Sequence, residues 1–208
     1  MTPPDDLFSR PVVLDASVLI NLVVVDDPGA ILRSLYQPKV VTIVTGEVGR
    51  NRRTGQIGKA VLQPFIETGL LELISMDDGE SEIFLDLVSA ASPDDLDDGE
   101  AATLACATGR RFLPLIDERK AHRILRERFP AVAGVSTIGV YHELLVRGVF
   151  SSDFIQQCIY DSLRYARMRV RADEVGWVTS LLTPSQLADC PSIPPRYRAC
   201  SPLLGLDY

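Results

Sequence analysis

Cysteine, histidine and tryptophan are all scarce in this 208-residue chain, at four, two and one residues respectively. The cysteines (Cys106, Cys158, Cys190, Cys200) form no Cys-x-x-Cys pair, which removes the usual basis of a structural zinc site. Reduced thiols are expected, although Cys190 and Cys200 could be bridged in an oxidising compartment. Neither His122 nor His142 falls at a strand end. Long apolar runs are missing too. The best candidate, Val12 to Val25, is interrupted by Asp15 and Asn21, short of the ~20 apolar residues a membrane helix needs. Met1 to Arg10 carries Asp5 and Asp6 and no apolar run, so no secretory signal is read there and a cytoplasmic location is expected. Positive charge is in deficit. With 28 acidic and 21 basic residues, the net charge of -7 argues against a protein that coats nucleic acid through bulk charge. It leaves room for an enzyme whose bound metal and local basic rim supply the attraction.

What is present is ordinary globular composition, 46% hydrophobic and 24% charged. Short β-prone runs alternate with helical stretches. Pro11 to Leu14, Val40 to Val44, Leu70 to Ile74, Phe112 to Ile116 and Ala131 to Val135 read as strands. Helices are expected after Ser17, over 56–68 (kinked or broken by Pro64), 81–90, 100–108 with Gly109 as its terminal glycine, 118–129 and 138–146. This alternation predicts an α/β fold: a three-layer α/β/α sandwich with a mostly parallel central sheet. The domain is expected to span 11–150. A helical extension, with candidates over 154–167 and 172–182, and a proline-rich tail would fill 151–208.

In a parallel sheet, ligands bind beyond the carboxyl ends of the strands. Asp15 ends the first strand, Glu47 follows the second, Asp117 ends the Phe112 to Ile116 strand, and Glu100 opens the helix leading into it. Carboxylates gathered in this way repel one another unless cations neutralise them, and hard oxygen donors suit Mg²⁺ or Mn²⁺. Such a site serves phosphoryl transfer to water, with metals ~3.5–4 Å apart where two are used, and needs no histidine. Each acid also has a structural reading. Asp15 and Asp117 could be helix N-caps, Glu47 and Glu100 could complement helix dipoles, and Asp94, Asp95, Asp97 and Asp98 read as a solvated acidic turn in which Asp97 or Asp98 can cap a helix.

Val12-Val13-Leu14-Asp15-Ala16-Ser17, Gly99-Glu100-Ala101-Ala102, Leu115-Ile116-Asp117-Glu118-Arg119-Lys120 and Val135-Ser136-Thr137-Ile138 occur in the order found in PIN domains, and residues 11 to 150 resemble that family. The resemblance implies Mg²⁺- or Mn²⁺-dependent ribonuclease activity and a frequent role as the toxin of a toxin–antitoxin pair. By position, Asp15, Glu100 and Asp117 match the metal-binding acids and Glu47 the acid after the second strand. Ser17 would orient Asp15, while Glu118 and Thr137 would support the edge. The third acid is Glu100 where many relatives carry Asp, and Glu118 replaces the second Asp of the later pair.

Arg50, Arg52 and Arg53 follow Glu47, and Arg119, Lys120 and Arg123 follow Asp117. Of these, Arg50, Arg53, Arg119 and Lys120 are the candidates to grip RNA phosphates, against the alternative of ordinary solvated helix faces. An RNA substrate, an antitoxin protein and a homodimer partner are the expected associations. The competing readings are a non-catalytic PIN-fold binding module and a phosphatase or receiver domain on a similar sheet. The phosphatase normally needs Asp-x-Asp where Ser17 stands, and the receiver needs a strand-end lysine that has no good equivalent here.

Overall fold

The computed structural model describes residues 6–49, 51–56, 59–89 and 96–198. A short helix α1 (Asp6–Ser9) leads into strand β1 (Val12–Leu14), then helices α2 (Ala16–Leu22) and α3 (Pro28–Ser34), strand β2 (Lys39–Val41) and a 3₁₀ turn, Ile43–Gly46. Helix α4 (Lys59–Glu67), strand β3 (Glu72–Ile74), helices α5 (Asp78–Val88) and α6 (Asp98–Arg110), strand β4 (Leu113–Leu115) and helices α7 (Arg119–Arg128) and α8 (Thr137–Val146) follow. Beyond them come α9 (Ser152–Asp161), a π-helical turn (Ser162–Ala166), α10 (Val175–Leu181), α11 (Pro184–Ala188) and α12 (Pro195–Arg198). Among the described residues, no helix is long and apolar enough to cross a membrane.

The strands form one parallel sheet in the order β3-β2-β1-β4, the central layer of a three-layer α/β/α sandwich. β1, β2 and β4 are buried at every position, which is why, Lys39 at the start of β2 apart, they read as apolar runs rather than alternating ones. Helix α6 packs on β1, β2 and β4, and its residues Gly99 to Ala107 are all buried. Its alanines Ala101, Ala102, Ala105 and Ala107 are all buried, and α5 packs against it as well. The α9–α10 segment adds Ile155, Ile159, Leu163 and Val178 to the same core. Ser162 ties that segment to the first layer, its Oγ donating to the Asn21 carbonyl (3.0 Å).

Three sequence expectations change. Gly109 does not end α6; the helix continues to Arg110, and Arg111 takes the left-handed cap (φ 56°). Gly109 is needed for packing instead, since a Cβ there would meet the Glu80 Cγ at 2.8 Å. The strand expected over 131–135 shrinks to one parallel bridge, Leu115 to Val135, because Val135 exchanges its backbone bonds with Pro114 and Ile116 and the chain then turns into α8. Pro64 lies inside α4 without breaking it. Cys106, Cys158 and Cys190 are free and buried, while Cys200 lies outside the described residues.

Candidate functional site

β1 delivers Asp15 to the N-cap of α2, with its backbone N–H bonded to the Leu115 carbonyl of β4 at 3.0 Å. The side chain is almost fully buried, at 2% exposure. Its Oδ2 accepts from the Ser17 hydroxyl (2.6 Å) and the Ser17 amide (3.1 Å). The cap is therefore real, but it uses one oxygen. Asp15 Oδ1 is buried with no hydrogen-bond partner. Burial raises the Asp15 pKa, against the pull of the Ser17 bonds.

Glu100 reaches the same place from the third position of α6. Asp97 caps this helix through a capping box: its side chain accepts from the Glu100 amide (2.8 Å), and Glu100 Oε2 accepts from the Asp97 amide (3.1 Å). Glu100 is 2% exposed, and burial lifts its pKa to about 7 despite a contact with Lys120 Nζ at 3.0 Å. Glu47 follows the 3₁₀ turn after β2 and is exposed. Its pKa is raised by desolvation and then by Asp97 and Asp15.

Asp15, Ser17, Glu47, Asp97, Glu100 and Glu118, with Ala16 and Ile20, line one cleft of about 460 Å³. Folding thus gathers Asp15, Glu47, Glu100, Ser17 and Glu118, all candidates in the sequence, and adds Asp97, which caps α6 as the sequence allows. The Asp97-x-x-Glu100 spacing was its available signal. Asp117 does not line the cleft. Its Oδ1 accepts from the Thr137 amide (2.7 Å), and its Oδ2 from the Thr137 hydroxyl (2.7 Å) and Asn21 Nδ2 (2.7 Å). Burial holds its pKa at about 6. Asn21 was visible in the sequence only as a polar break in an apolar run. Thr137 is buried in the first turn of α8, whose N-cap is Ser136.

The basic candidates separate. Lys120 lies within the acidic site, on Glu100. Arg119 lines a different cavity. Arg53 does not line the cleft: its guanidinium holds the Val24 carbonyl (2.9 Å), buried Asp161 (2.9 Å) and Asp26, which fixes the 51–56 loop. Arg50 lies outside the described residues, as do Asp94 and Asp95.

An oxygen-only donor set, raised carboxyl pKa values and the orphaned Asp15 Oδ1 fit a hard divalent cation. Among the described residues, no three His, Cys, Asp or Glu side chains converge as a ready-made metal-holding group.

A family model described as PIN domain matches residues 11–183. No curated protein and no solved structure matches the chain.

Proposed function

The chain belongs to the PIN-domain family, typically nucleases, and from that premise we propose that it is a divalent-metal-dependent endoribonuclease hydrolysing RNA phosphodiesters. The observation that carries the reading is the buried, unpartnered Asp15 Oδ1 beside a cleft walled by Glu47, Asp97, Glu100 and Glu118. Asp15, Glu47 and Glu100 would hold Mg²⁺ or Mn²⁺. When bound, the cation supplies Lewis-acid stabilisation of the phosphate and a more acidic water.

The chain's own groups prepare that place. Ser17 fixes the orientation of Asp15, and Lys120 offsets part of the accumulated negative charge. Asp117 acts as a positioning residue, joining the end of β4 to α2 through Asn21 and to α8 through Thr137. In hydrolysis the water oxygen bonds to phosphorus, one phosphorus–oxygen ester bond breaks, and the departing ribose oxygen takes up a proton.

The test is cleavage of single-stranded RNA with Mn²⁺. Asp15→Asn keeps an oxygen for the Ser17 cap, so the fold should hold while turnover falls by about 100-fold or more. Wild-type protein with neither Mn²⁺-stimulated cleavage nor an Mn²⁺-dependent rise in melting temperature would overturn the reading. A second reading, a non-catalytic RNA- or protein-binding module of the same fold, is favoured by the Lys120–Glu100 ion pair at 3.0 Å. RNA binding without turnover selects it. The proposal extends to a toxin role in the cytoplasm, with a homodimer and an antitoxin partner. Growth arrest on expression, relieved by Asp15→Asn, tests the toxin role, and light scattering tests the dimer.

A further inference from the structure

A second cavity, of about 660 Å³, lies against α7, and Arg119, His122 and Arg126 line it. Their spacing of i, i+3 and i+7 places them on one helical face. Arg171 also lines the cavity, and Gly134 keeps part of it open, since a Cβ there would come within 3.1 Å of the His122 ring. The acids that reach the cavity are already matched: Glu143 by Arg147 (3.7 Å) and Asp173 by Arg171 (3.5 Å). Arg171 is further held by Glu174 at 2.7 Å. Arg119 and Arg126 are exposed and, among the described residues, their side chains make no hydrogen bond or ion pair. The unmatched charge in the cavity is therefore positive. Burial, Arg171 and Arg126 all lower the pKa of His122, which leaves a neutral ring whose Nε2 lies 2.8 Å from the Ile116 carbonyl.

We infer that this cavity takes the nucleotide next to the scissile phosphate of a single-stranded RNA, with Arg119 and Arg126 on its phosphates and the base against His122. The inference rests on the nuclease reading above. Its geometric support is the N-terminus of α7, where Glu118 lines the acidic cleft and the next residue, Arg119, lines the cavity. Successive α-carbons are ~3.8 Å apart, so the cleft and the cavity approach each other at this point of the chain. A base held in a cavity must be unstacked, which a single strand permits and a duplex resists.

The experiment uses full-length Asp15→Asn protein, so that RNA is bound and not cut, with and without Arg119→Ala and Arg126→Ala together. Fluorescence anisotropy with a labelled mixed-sequence single-stranded RNA should show the affinity falling about 10- to 100-fold. The slope of log K on log salt should flatten by about 1.4, the loss of two phosphate contacts at ~0.7 each. Melting curves establish that the double variant is folded, as exposed, unpartnered arginines lead one to expect. Unchanged affinity and slope would overturn the inference, as would equal affinity for duplex RNA or for adenosine monophosphate alone. The nuclease reading fails separately: if wild-type protein shows no Mn²⁺ response while RNA binding still depends on Arg119 and Arg126, the cavity remains an RNA-binding subsite and its place beside a scissile phosphate falls with the catalytic reading.

Discussion

The Glu47 carboxylate rests on the α-carbon of Gly99: a Cβ at that position would stand 2.7 Å from the Glu47 Cδ. The backbone of Gly99 does not need glycine, because its φ is not positive. The site needs it. Gly99→Ala should therefore fold, because Glu47 is an exposed, flexible side chain that can move aside. Alanine in place of glycine in a helix favours folding by roughly 0.5–1 kcal/mol, so the melting temperature should hold or rise slightly. Mn²⁺-dependent stabilisation and RNA cleavage should both drop about tenfold or more. Full activity in this variant would remove Glu47 from the proposed centre.

Asp117 should behave unlike Asp15. Its two oxygens accept three hydrogen bonds that join β4, α2 and α8, so Asp117→Ala leaves the Thr137 amide, the Thr137 hydroxyl and Asn21 without their acceptor. An unfolding free energy lower by about 1–3 kcal/mol is expected, or ~2–12 °C in melting temperature for a chain of this size. Cleavage should fall along with stability. A variant that loses cleavage but melts like wild type would make Asp117 a direct ligand rather than a positioning residue.

Burial moves the Glu100 carboxyl from 4.5 to about 7 and that of Asp117 from 3.8 to about 6. The folded state thus keeps protons that the unfolded chain would release. For these two groups stability is greatest below the unfolded values and is lost as pH rises through the folded ones. The metal-free protein should melt at progressively lower temperature from about pH 5 to about pH 7.5. Saturating Mn²⁺ favours the ionised carboxylates, so the rise it produces should grow over the same range. A melting temperature that climbs through this window, with an Mn²⁺ effect independent of pH, would contradict the assignment.

The sheet and the order of its acids were legible because buried parallel strands leave β-branched runs that end abruptly in a polar residue, as Val12 to Leu14 ends at Asp15. Nothing in the apolar spacing announces α3, although Asp27 as N-cap and Pro28 at the first position carry its start signal. Which of the adjacent acids Asp117 and Glu118 faces the cleft was not legible, because the turn after β4, rather than strand alternation, decides it. The setting of Arg53 was not legible for a different reason. Its partner Asp161 is 108 residues away in sequence, and only the folded chain brings the two together.

The tetrapeptide Asp-Asp-Gly-Glu occurs twice, at 77–80 and 97–100, and both copies form capping boxes. Only the surroundings separate them. Glu80 is gripped at both oxygens by Arg110, Nε at 2.5 Å and Nη2 at 2.7 Å, whereas Glu100 stands in the acidic cleft with a single lysine contact. Glu80→Gln breaks a two-point ion pair between a buried carboxylate and a half-buried guanidinium and should cost about 1–3 kcal/mol, roughly 2–12 °C, while leaving the Mn²⁺-induced thermal shift intact. Glu100→Gln should do the reverse. It removes a carboxylate that burial and Asp97 disfavour, so the metal-free protein should melt no lower than wild type near neutral pH, while the Mn²⁺ response and RNA cleavage disappear. Paired melting curves with and without Mn²⁺ distinguish the two copies. If both substitutions destabilise alike and neither alters the Mn²⁺ response, Glu100 is a helix cap and no more.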